Sequence, residues 1–240
     1  MAELFEVEPA VVLAIYAHPD DADVACGGAL ARWAAGGAEV HLVVCTDGGK
    51  GSLDGSITTE ELSVRRSREL AEAAEVVGLA SWRVLGAPDG ELEERVGLRE
   101  ELVRWVRALR PDVVVGHDPT AVFFGREYFN HRDHRTAGWA TLDALAPASA
   151  LPHYFPGAGP PHQVVTALLS GTLEPDIWVD ITAWVEAKVA SVTCHRSQFV
   201  GSDGSWAAAA VRRRAAEEGR RAGVEFAEGF RCLHLEGLTV

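Results

Sequence analysis

The sequence lacks the features that mark a membrane protein or a nucleic-acid-binding protein. No apolar run approaches the ~20 residues that a transmembrane helix needs. The N-terminal segment carries neither a basic stretch nor a long apolar one, so we expect no signal peptide. Asp and Glu (35) outnumber Lys and Arg (22), and the net charge of −13 argues against nucleic acid or an anionic membrane as a partner.

Paired cysteines and nucleotide-binding glycine motifs are also missing. The chain has no C-x-x-C pair among its four cysteines, Cys26, Cys45, Cys194 and Cys232. Cys26 and Cys45 lie in apolar stretches, which is typical of core thiols in a reducing compartment, and we expect a soluble, cytoplasmic protein. The glycine-rich segment 47–51 matches neither G-x-G-x-x-G nor the P-loop. Within this segment, Asp47 is the one candidate functional residue, as a substrate contact.

What is present is an alternation of strand-like and helix-like segments. Strands are predicted at 11–17, 39–46, 81–85, 113–116, 164–169 and 177–179. Helices are predicted at 27–37, 58–77, 91–109, 130–145, 180–192 and 206–221. This alternation predicts one α/β domain over 1–240, Rossmann-like, with a mostly parallel sheet and helices on both faces. The core of this domain is expected at about 11–199. Segment 204–240 is expected to hold the last helix and then a final strand inside 226–238.

Residues 11–21, V-V-L-A-I-Y-A-H-P-D-D, place three polar side chains directly after the first strand. Pro19 ends that strand. His18, Asp20 and Asp21 should therefore lie on the turn beyond its carboxyl end, where open α/β sheets bind ligands. His18 and Asp21 can close on one metal ion, with Asp20 nearby as a base. An Asp-rich helix cap with a structural loop histidine explains this stretch equally well.

A second polar cluster opens the helix predicted at 130–145. Asn130 suits the N-cap and Asp133 the third helical position, so capping alone explains that aspartate. His131 and His134 lie three residues apart on one face, in a first turn where a histidine gains nothing from the helix dipole. They suit one metal ligand and one group that faces the substrate. This helix start and the first turn can converge at the carboxyl-end rim of the sheet.

One carboxylate and two histidines leave open positions on a divalent ion, the pattern of a catalytic rather than a structural metal site. Zn²⁺ is the first choice, although Fe²⁺, Co²⁺ and Mn²⁺ accept the same ligands.

Four other segments are interpreted more simply. Arg66 and Glu69, three residues apart on a predicted helix, are explained by an ordinary surface ion pair. Segment 120–130 has no clear period and is expected to form a loop over the site. The proline-rich segment 151–163 is expected to form a loop or lid. The arginine run 212–214 suits a solvated or subunit-contacting face, which is compatible with a homo-oligomer.

Two of these motifs carry a family resemblance. A-H-P-D-D at 17–21, together with H-x-D-H at 131–134, resembles the LmbE/PIG-L-like family of metal-dependent N-acetylglucosaminyl deacetylases. Arg66 with Glu69, and the K-x-A-x-x-x-x-H-x-S-Q run at 188–198, are also similar to its pattern. The resemblance implies a zinc-dependent hydrolase that removes an N-acyl group from an N-acetylglucosamine-type conjugate. The bond would be a linear amide, cleaved by a metal-activated water with an aspartate as general base.

The resemblance also implies a role for each matching residue. The metal ligands would be His18, Asp21 and His134. Asp20 would be the general base, a cationic His131 would stabilise the oxyanion, and Asp133 would orient or charge-tune His131. Arg66 and His195 join Asp47 as candidate substrate contacts. Where some members place a tyrosine two residues before the first histidine of H-x-D-H, this chain has Phe129, with Tyr128 beside it.

Two alternatives come from other classes of protein. A nucleotide-binding Rossmann-like module is disfavoured by the missing glycine fingerprint after the first strand. A non-catalytic sugar- or metal-binding protein has no need of the free carboxylate of Asp20 beside the metal. The sequence therefore favours the hydrolase, with a small amino-sugar conjugate as substrate and its selectivity expected in loops 120–130 and 151–163.

Overall fold

The structure, a computed structural model, describes residues 3–199 and 204–235. Its strands are β1 (Glu3–Leu4), β2 (Val11–Tyr16), β3 (Glu39–Thr46), β4 (Ser81–Ala87), β5 (Val113–His117), β6 (Phe123–Phe124), β7 (Tyr128–Phe129), β8 (Thr166–Ser170), β9 (Ile177–Asp180) and β10 (Ala227–His234). Its α-helices are α1 (Asp21–Ala35), α2 (Thr59–Val77), α3 (Val96–Leu109), α4 (Arg132–Asp143), α5 (Val185–Cys194) and α6 (Ser205–Ala222). Among these described helices, none combines the length and apolar character needed to cross a bilayer.

Eight of the strands form one sheet in the order β1-β9-β10-β8-β5-β2-β3-β4. β8, β5, β2, β3 and β4 run parallel to one another, whereas β10 lies antiparallel between β8 and β9. The predicted mostly parallel α/β sheet is therefore confirmed. The last predicted strand is present as β10, and positions 236–238 of that prediction lie outside the described residues.

Each face of the sheet is covered by helices because the strands alternate their apolar side chains between the two faces. In β2, Val12 and Ala14 face the layer that contains α1, α2, α5 and α6. Leu13 and Ile15 face the opposite layer, formed by α3 and α4. The predicted helices on both faces are thus confirmed.

Helix α1 differs from its prediction in a way that matters for the site. It begins at Asp21 rather than Gly27, and the backbone leaves the helical region at Cys26 (φ −144°, ψ 19°). The interruption frees amide groups that a continuous helix would use internally. The Glu228 carboxylate on β10 accepts hydrogen bonds from two of them, Gly28 N (3.1 Å) and Ala29 N (2.8 Å). The buried Lys188 ammonium pairs with the same carboxylate.

Other segments also differ from their predictions. Helix α3 begins at Val96 rather than residue 91. Segment 120–130 contains a small hairpin, in which Phe123 pairs with Phe129 and Phe124 with Tyr128. Strands of two residues are too short to produce a detectable period, so the sequence pattern resembles a loop.

The five neighbouring parallel strands β8, β5, β2, β3 and β4 all end at one edge of the sheet, which we call the carboxyl edge. Polar residues lie at or just beyond these strand ends: His18, Asp47, Asp89, His117 and Ser170. Helix α4 also begins at this edge and carries the chain away from it. The carboxyl edge is therefore where the predicted site residues meet.

Segment 151–163 lies at the opposite edge, so the prediction of a lid is wrong. His162 Nε2 lies 2.8 Å from the carbonyl oxygen of Pro111, just before β5 begins. The buried Arg107 guanidinium donates to six carbonyl groups of this region, those of Ala148, Ser149, Leu151, Tyr154, Phe155 and Gly159. The prolines correctly indicate a loop. Its position could not be predicted, because no local sequence pattern shows that α4 carries the chain from the carboxyl edge to the opposite edge of the sheet.

Replacing Arg107 with methionine is expected to lower the free energy of unfolding by about 3–5 kcal/mol, because several buried carbonyls lose a charged donor. Urea unfolding measures the loss. Arg104→Met is the matched control: among residues 3–199 and 204–235 its half-exposed guanidinium contacts only the Gly157 carbonyl and Glu100, so we expect a loss of about 1 kcal/mol or less. A change of substrate selectivity in folded Arg107→Met would restore the lid interpretation.

Candidate active site

The turn after β2 is organised by its own aspartates. Asp21 Oδ2 accepts a hydrogen bond from the backbone N–H of His18 at 2.7 Å, which holds the two residues together. Asp20 occupies the N-cap position of α1 but makes no side-chain capping bond. Its Oδ1 instead accepts a hydrogen bond from Arg66 Nη2 at 2.6 Å. Helix capping therefore does not explain Asp20.

His18, Asp21 and His134 converge at the carboxyl edge. His18 Nδ1 lies 3.1 Å from His134 Nε2 and 3.2 Å from Asp21 Oδ2, and His134 Nε2 lies 3.1 Å from Asp21 Oδ1. Donors bound to one ion at about 2.0–2.1 Å stand roughly 3.0–3.4 Å apart. These three residues, which we call the ligand triangle, thus have the spacing and the donor types of one divalent-ion site.

His134 is held with its Nε2 toward the triangle. Its Nδ1 lies 3.0 Å from Oδ1 of the buried Asn130, whose Nδ2 donates to the Ala121 carbonyl. Such a partner fixes the ring orientation of a metal-binding histidine. Asn130 is therefore not the N-cap that the sequence suggested. That position belongs to His131, whose Nδ1 accepts from Asp133 N at 3.3 Å.

His117, at the end of β5, was not predicted as a site residue. Its ring stacks on that of His134 with centroids 4.2 Å apart, and its Nε2 lies 3.2 Å from Asp21 Oδ2. Burial lowers the pKa of His117, which favours the neutral ring. The residue supports two corners of the triangle. The sequence feature that could have identified His117 is its place at the end of a strand, at the same edge of the sheet as His18.

Asp89 was also missed. Its Oδ1 lies 3.1 Å from His18 Nε2, and Asp133 Oδ2 lies 3.4 Å from the same atom. Burial opposes the charge on His18, but Asp21, Asp133 and Asp89 outweigh it and raise the pKa of His18 to about 12. Burial likewise opposes ionisation of Asp89, yet the contact with His18 lowers the pKa of Asp89 to about 2. This surplus of carboxylates makes the site suited to a cation.

The Asp133 side chain lies nearer to His18 than to the histidine it was expected to tune. Its fully buried carboxylate accepts hydrogen bonds from Gly90 N (2.7 Å) and Leu92 N (3.2 Å) and faces His18. It thereby joins α4 to the turn after β4 and supports the His18 ring. The link to His131 is made by the Asp133 amide, which donates to His131 Nδ1, and by the Asp133 charge, which partly offsets the lowering of the pKa of His131 by burial.

His131 is not expected to be cationic. Burial lowers the pKa of His131, and the neighbouring His18 lowers it further. With Nδ1 accepting from the Asp133 amide, the neutral ring carries its proton on Nε2. The ring stands 4.9 Å from that of His18, centroid to centroid, and is exposed to solvent. It can therefore act as a neutral hydrogen-bond donor beside the triangle.

The predicted surface ion pair of Arg66 and Glu69 is wrong, because both side chains are buried and each has another partner. Arg66 donates to Asp20 and to the Gly48 carbonyl. Glu69 accepts from the amide and the hydroxyl of Ser197, which joins α2 to the segment after α5.

The other two candidate substrate contacts lie outside the triangle. Asp47 Oδ1 accepts hydrogen bonds from Gly49 N and Asp89 N, which shapes the loop beside the site. His195 is 1% exposed, and its Nε2 lies 2.8 Å from Asp23 Oδ2. In this structure both side chains are therefore bonded to other protein groups and hold the segments around the ligand triangle.

Comparison with known proteins places the chain among sugar deacetylases by similarity. The family model described as PIG-L: GlcNAc-PI de-N-acetylase matches residues 13–145. The chain is 33% identical over 226 residues to diacetylchitobiose deacetylase of Thermococcus kodakarensis, covering 92% of this chain and 82% of that protein. It is 28% identical over 241 residues to 1D-myo-inositol 2-acetamido-2-deoxy-alpha-D-glucopyranoside deacetylase of Saccharomonospora viridis, covering 80% and 87%.

A solved structure gives the same result for the fold. N,N'-diacetylchitobiose deacetylase from Pyrococcus horikoshii, determined with its inhibitor MPG, is similar with a TM-score of 0.86 and 31% identity. The similarity covers 95% of this chain and 85% of that one.

Proposed function

Because the chain belongs to the PIG-L family of GlcNAc-PI de-N-acetylases, we propose that it is a metal-dependent hydrolase that removes the N-acetyl group from a small N-acetylglucosamine-type conjugate. The observation that carries the proposal is the ligand triangle with the Asp20 carboxylate beside it. Zn²⁺ is the proposed ion, since two imidazoles and one carboxylate with open positions are usual for catalytic zinc. Bound there, it would lower the pKa of a coordinated water and polarise the amide carbonyl.

Asp20 is the proposed general base. Its side chain is 24% exposed, so it is accessible from the site, and Arg66 holds it through Oδ1. Among the described residues no donor bonds its Oδ2. That oxygen takes the proton of the attacking water and returns it to the leaving nitrogen, which is the usual cycle of one carboxylate in amide hydrolysis.

His131 is the proposed oxyanion donor. As the amide carbonyl becomes tetrahedral, its oxygen gains negative charge, and a donor that faces this charge stabilises the transition state. The neutral His131 ring has an N–H on Nε2 for this purpose. Asp133 and Asp89 hold His18 from behind, and His117 and Asn130 hold His134, so the ligand triangle is preorganised.

The test is a substrate panel. Purified protein loaded with Zn²⁺ is expected to release free amine from diacetylchitobiose or from an inositol-linked N-acetylglucosamine, measured with an amine-reactive fluorophore. Removal of the ion by a chelator should abolish release, and added Zn²⁺ should restore it. Binding of these sugars without any amine release by the loaded protein would favour the non-catalytic alternative and contradict the proposal.

A further inference from the structure

A cavity of 560 Å³ adjoins the ligand triangle on one side. Asp21, His134 and Asn130 are among its lining residues, together with Ser170 and Lys188. Asp20, Arg66 and His131 are not among its lining residues. Pockets of this volume hold drug-sized ligands, so an acetyl methyl group would occupy only a small part of it.

The walls of this cavity are mainly apolar. Helices α1 and α6 both contribute side chains, and the β6–β7 hairpin adds two aromatic rings. The apolar lining residues include Val24, Ala25, Phe124, Tyr128, Val211 and Ala215. Val24 lies three residues after Asp21 on the same helix. The apolar part of the cavity wall thus begins one helical turn from the ligand triangle.

Most polar groups that line the cavity already have partners within the protein, and the exposed Arg214 lies among the lining residues as well. Lys188 and Glu228 pair with each other, and Glu228 also accepts from two amides of α1. Asp118 accepts from the amide and hydroxyl of Thr120. Ser170 Oγ donates to the Gly116 carbonyl and lies 2.7 Å from Tyr16 Oη. A sugar placed here would find few free partners, whereas an alkyl chain needs none.

The chemistry of the proposed hydrolysis decides which part of the substrate faces the cavity. Water adds to the carbonyl carbon, the C–N bond breaks, and the nitrogen takes the proton from Asp20. The sugar, bonded to that nitrogen, therefore lies on the Asp20 side. The acyl substituent projects from the other side of the carbonyl carbon, and the cavity lies on the side of the triangle that excludes Asp20.

We propose that this cavity, which we name the acyl cavity, receives the alkyl part of the N-acyl group. The inference rests on the proposed function and extends it: amino sugars with linear N-acyl chains of about four to eight carbons are substrates, in keeping with the cavity volume. The products are the free amino sugar and the corresponding fatty acid, so the reaction needs only water.

The experiment compares four substrates: N-acetyl and N-octanoyl, each on glucosamine and on chitobiose. We expect N-octanoyl substrates to be cleaved with kcat/KM at least equal to that of N-acetyl, since each buried methylene can contribute up to about fourfold. Val24→Trp and Val211→Trp fill the acyl cavity from α1 and from α6. Each should lower the octanoyl-to-acetyl ratio of kcat/KM by about tenfold or more.

Val64→Trp is the matched control, because this valine is exposed on α2 and does not line the acyl cavity. Cleavage of N-acetyl but not N-octanoyl substrates, or an unchanged ratio in both cavity variants, overturns the acyl cavity and leaves the proposed hydrolase standing. If the two cavity variants lost cleavage of both N-acyl forms of chitobiose but kept cleavage of both forms of glucosamine, the cavity would hold the aglycone. That result would also overturn the proposed acyl cavity. No cleavage of any substrate by the Zn²⁺-loaded protein means that the proposed function itself fails.

Discussion

Asp20→Asn is expected to lower kcat for N-acetylglucosaminide hydrolysis by about 10²–10⁴-fold, the usual worth of a general base. Asparagine keeps the shape of the side chain and can still accept the hydrogen bond of Arg66, but it cannot take a proton. Since Asp20 is not a corner of the ligand triangle, metal content should stay near that of the parent protein. Steady-state kinetics and elemental analysis of the same preparation measure the two quantities together.

Two controls separate this result from a general effect of losing a carboxylate. Asp21→Asn removes a corner of the triangle, so metal binding should weaken and activity should partly return with excess metal. Asp143→Asn, at the far end of α4, should change neither quantity. An Asp20→Asn variant that hydrolyses at the parental rate would place the base elsewhere. Asp89 would then be the next residue to test, because Asp133 is completely buried.

His134→Ala is expected to remove most of the bound metal and, with it, the activity. His134 Nε2 is one of the three donors, and two donors hold a divalent ion far less tightly than three. Dialysed protein should fall from about one ion per chain, the count for a single three-ligand site, toward none. Inductively coupled plasma mass spectrometry provides the measurement.

The neighbours of His134 provide a graded comparison. Asn130→Ala leaves the ligand in place but removes the partner of His134 Nδ1, so an intermediate loss in metal affinity, about 10–100-fold, is expected. His153→Ala, an exposed histidine at the opposite edge, should bind metal normally. If His134→Ala kept full occupancy after dialysis, the assignment of this ligand would be wrong.

The convergence of the ligand triangle was predictable because it depends on topology more than on side-chain detail. His18 and Asp21 follow a strand that Pro19 stops, and His134 lies in the first turn of a later helix. In a parallel sheet both places meet at the carboxyl edge. The pattern of apolar runs predicts the sheet, and the sheet then brings the motifs together.

Other parts of the site could not be read from local patterns. His117 and Asp89 each appear in the sequence as a single polar residue near a strand end, which is too common to single them out. Asp133 satisfies the position of a helix-capping residue, and only the packed structure shows that its carboxylate reaches His18 and the turn after β4. The interruption of α1 depends on Glu228, about 200 positions away in the chain, beyond the range of any local pattern.

The position of β10 has a consequence for how the protein is made. Ribosomes deliver the N-terminal part of a chain first, and that part can begin to fold early. Here β10, which follows both β8 and β9 in the chain, is inserted between them rather than added at the border of the sheet. A nascent chain that already contains every corner of the triangle still exposes two unpaired strand edges, which are templates for aggregation. It also lacks the carboxylate of Glu228 that stabilises the interrupted α1. The helix that begins at Asp21 thus gains this support only after β10 has left the ribosome.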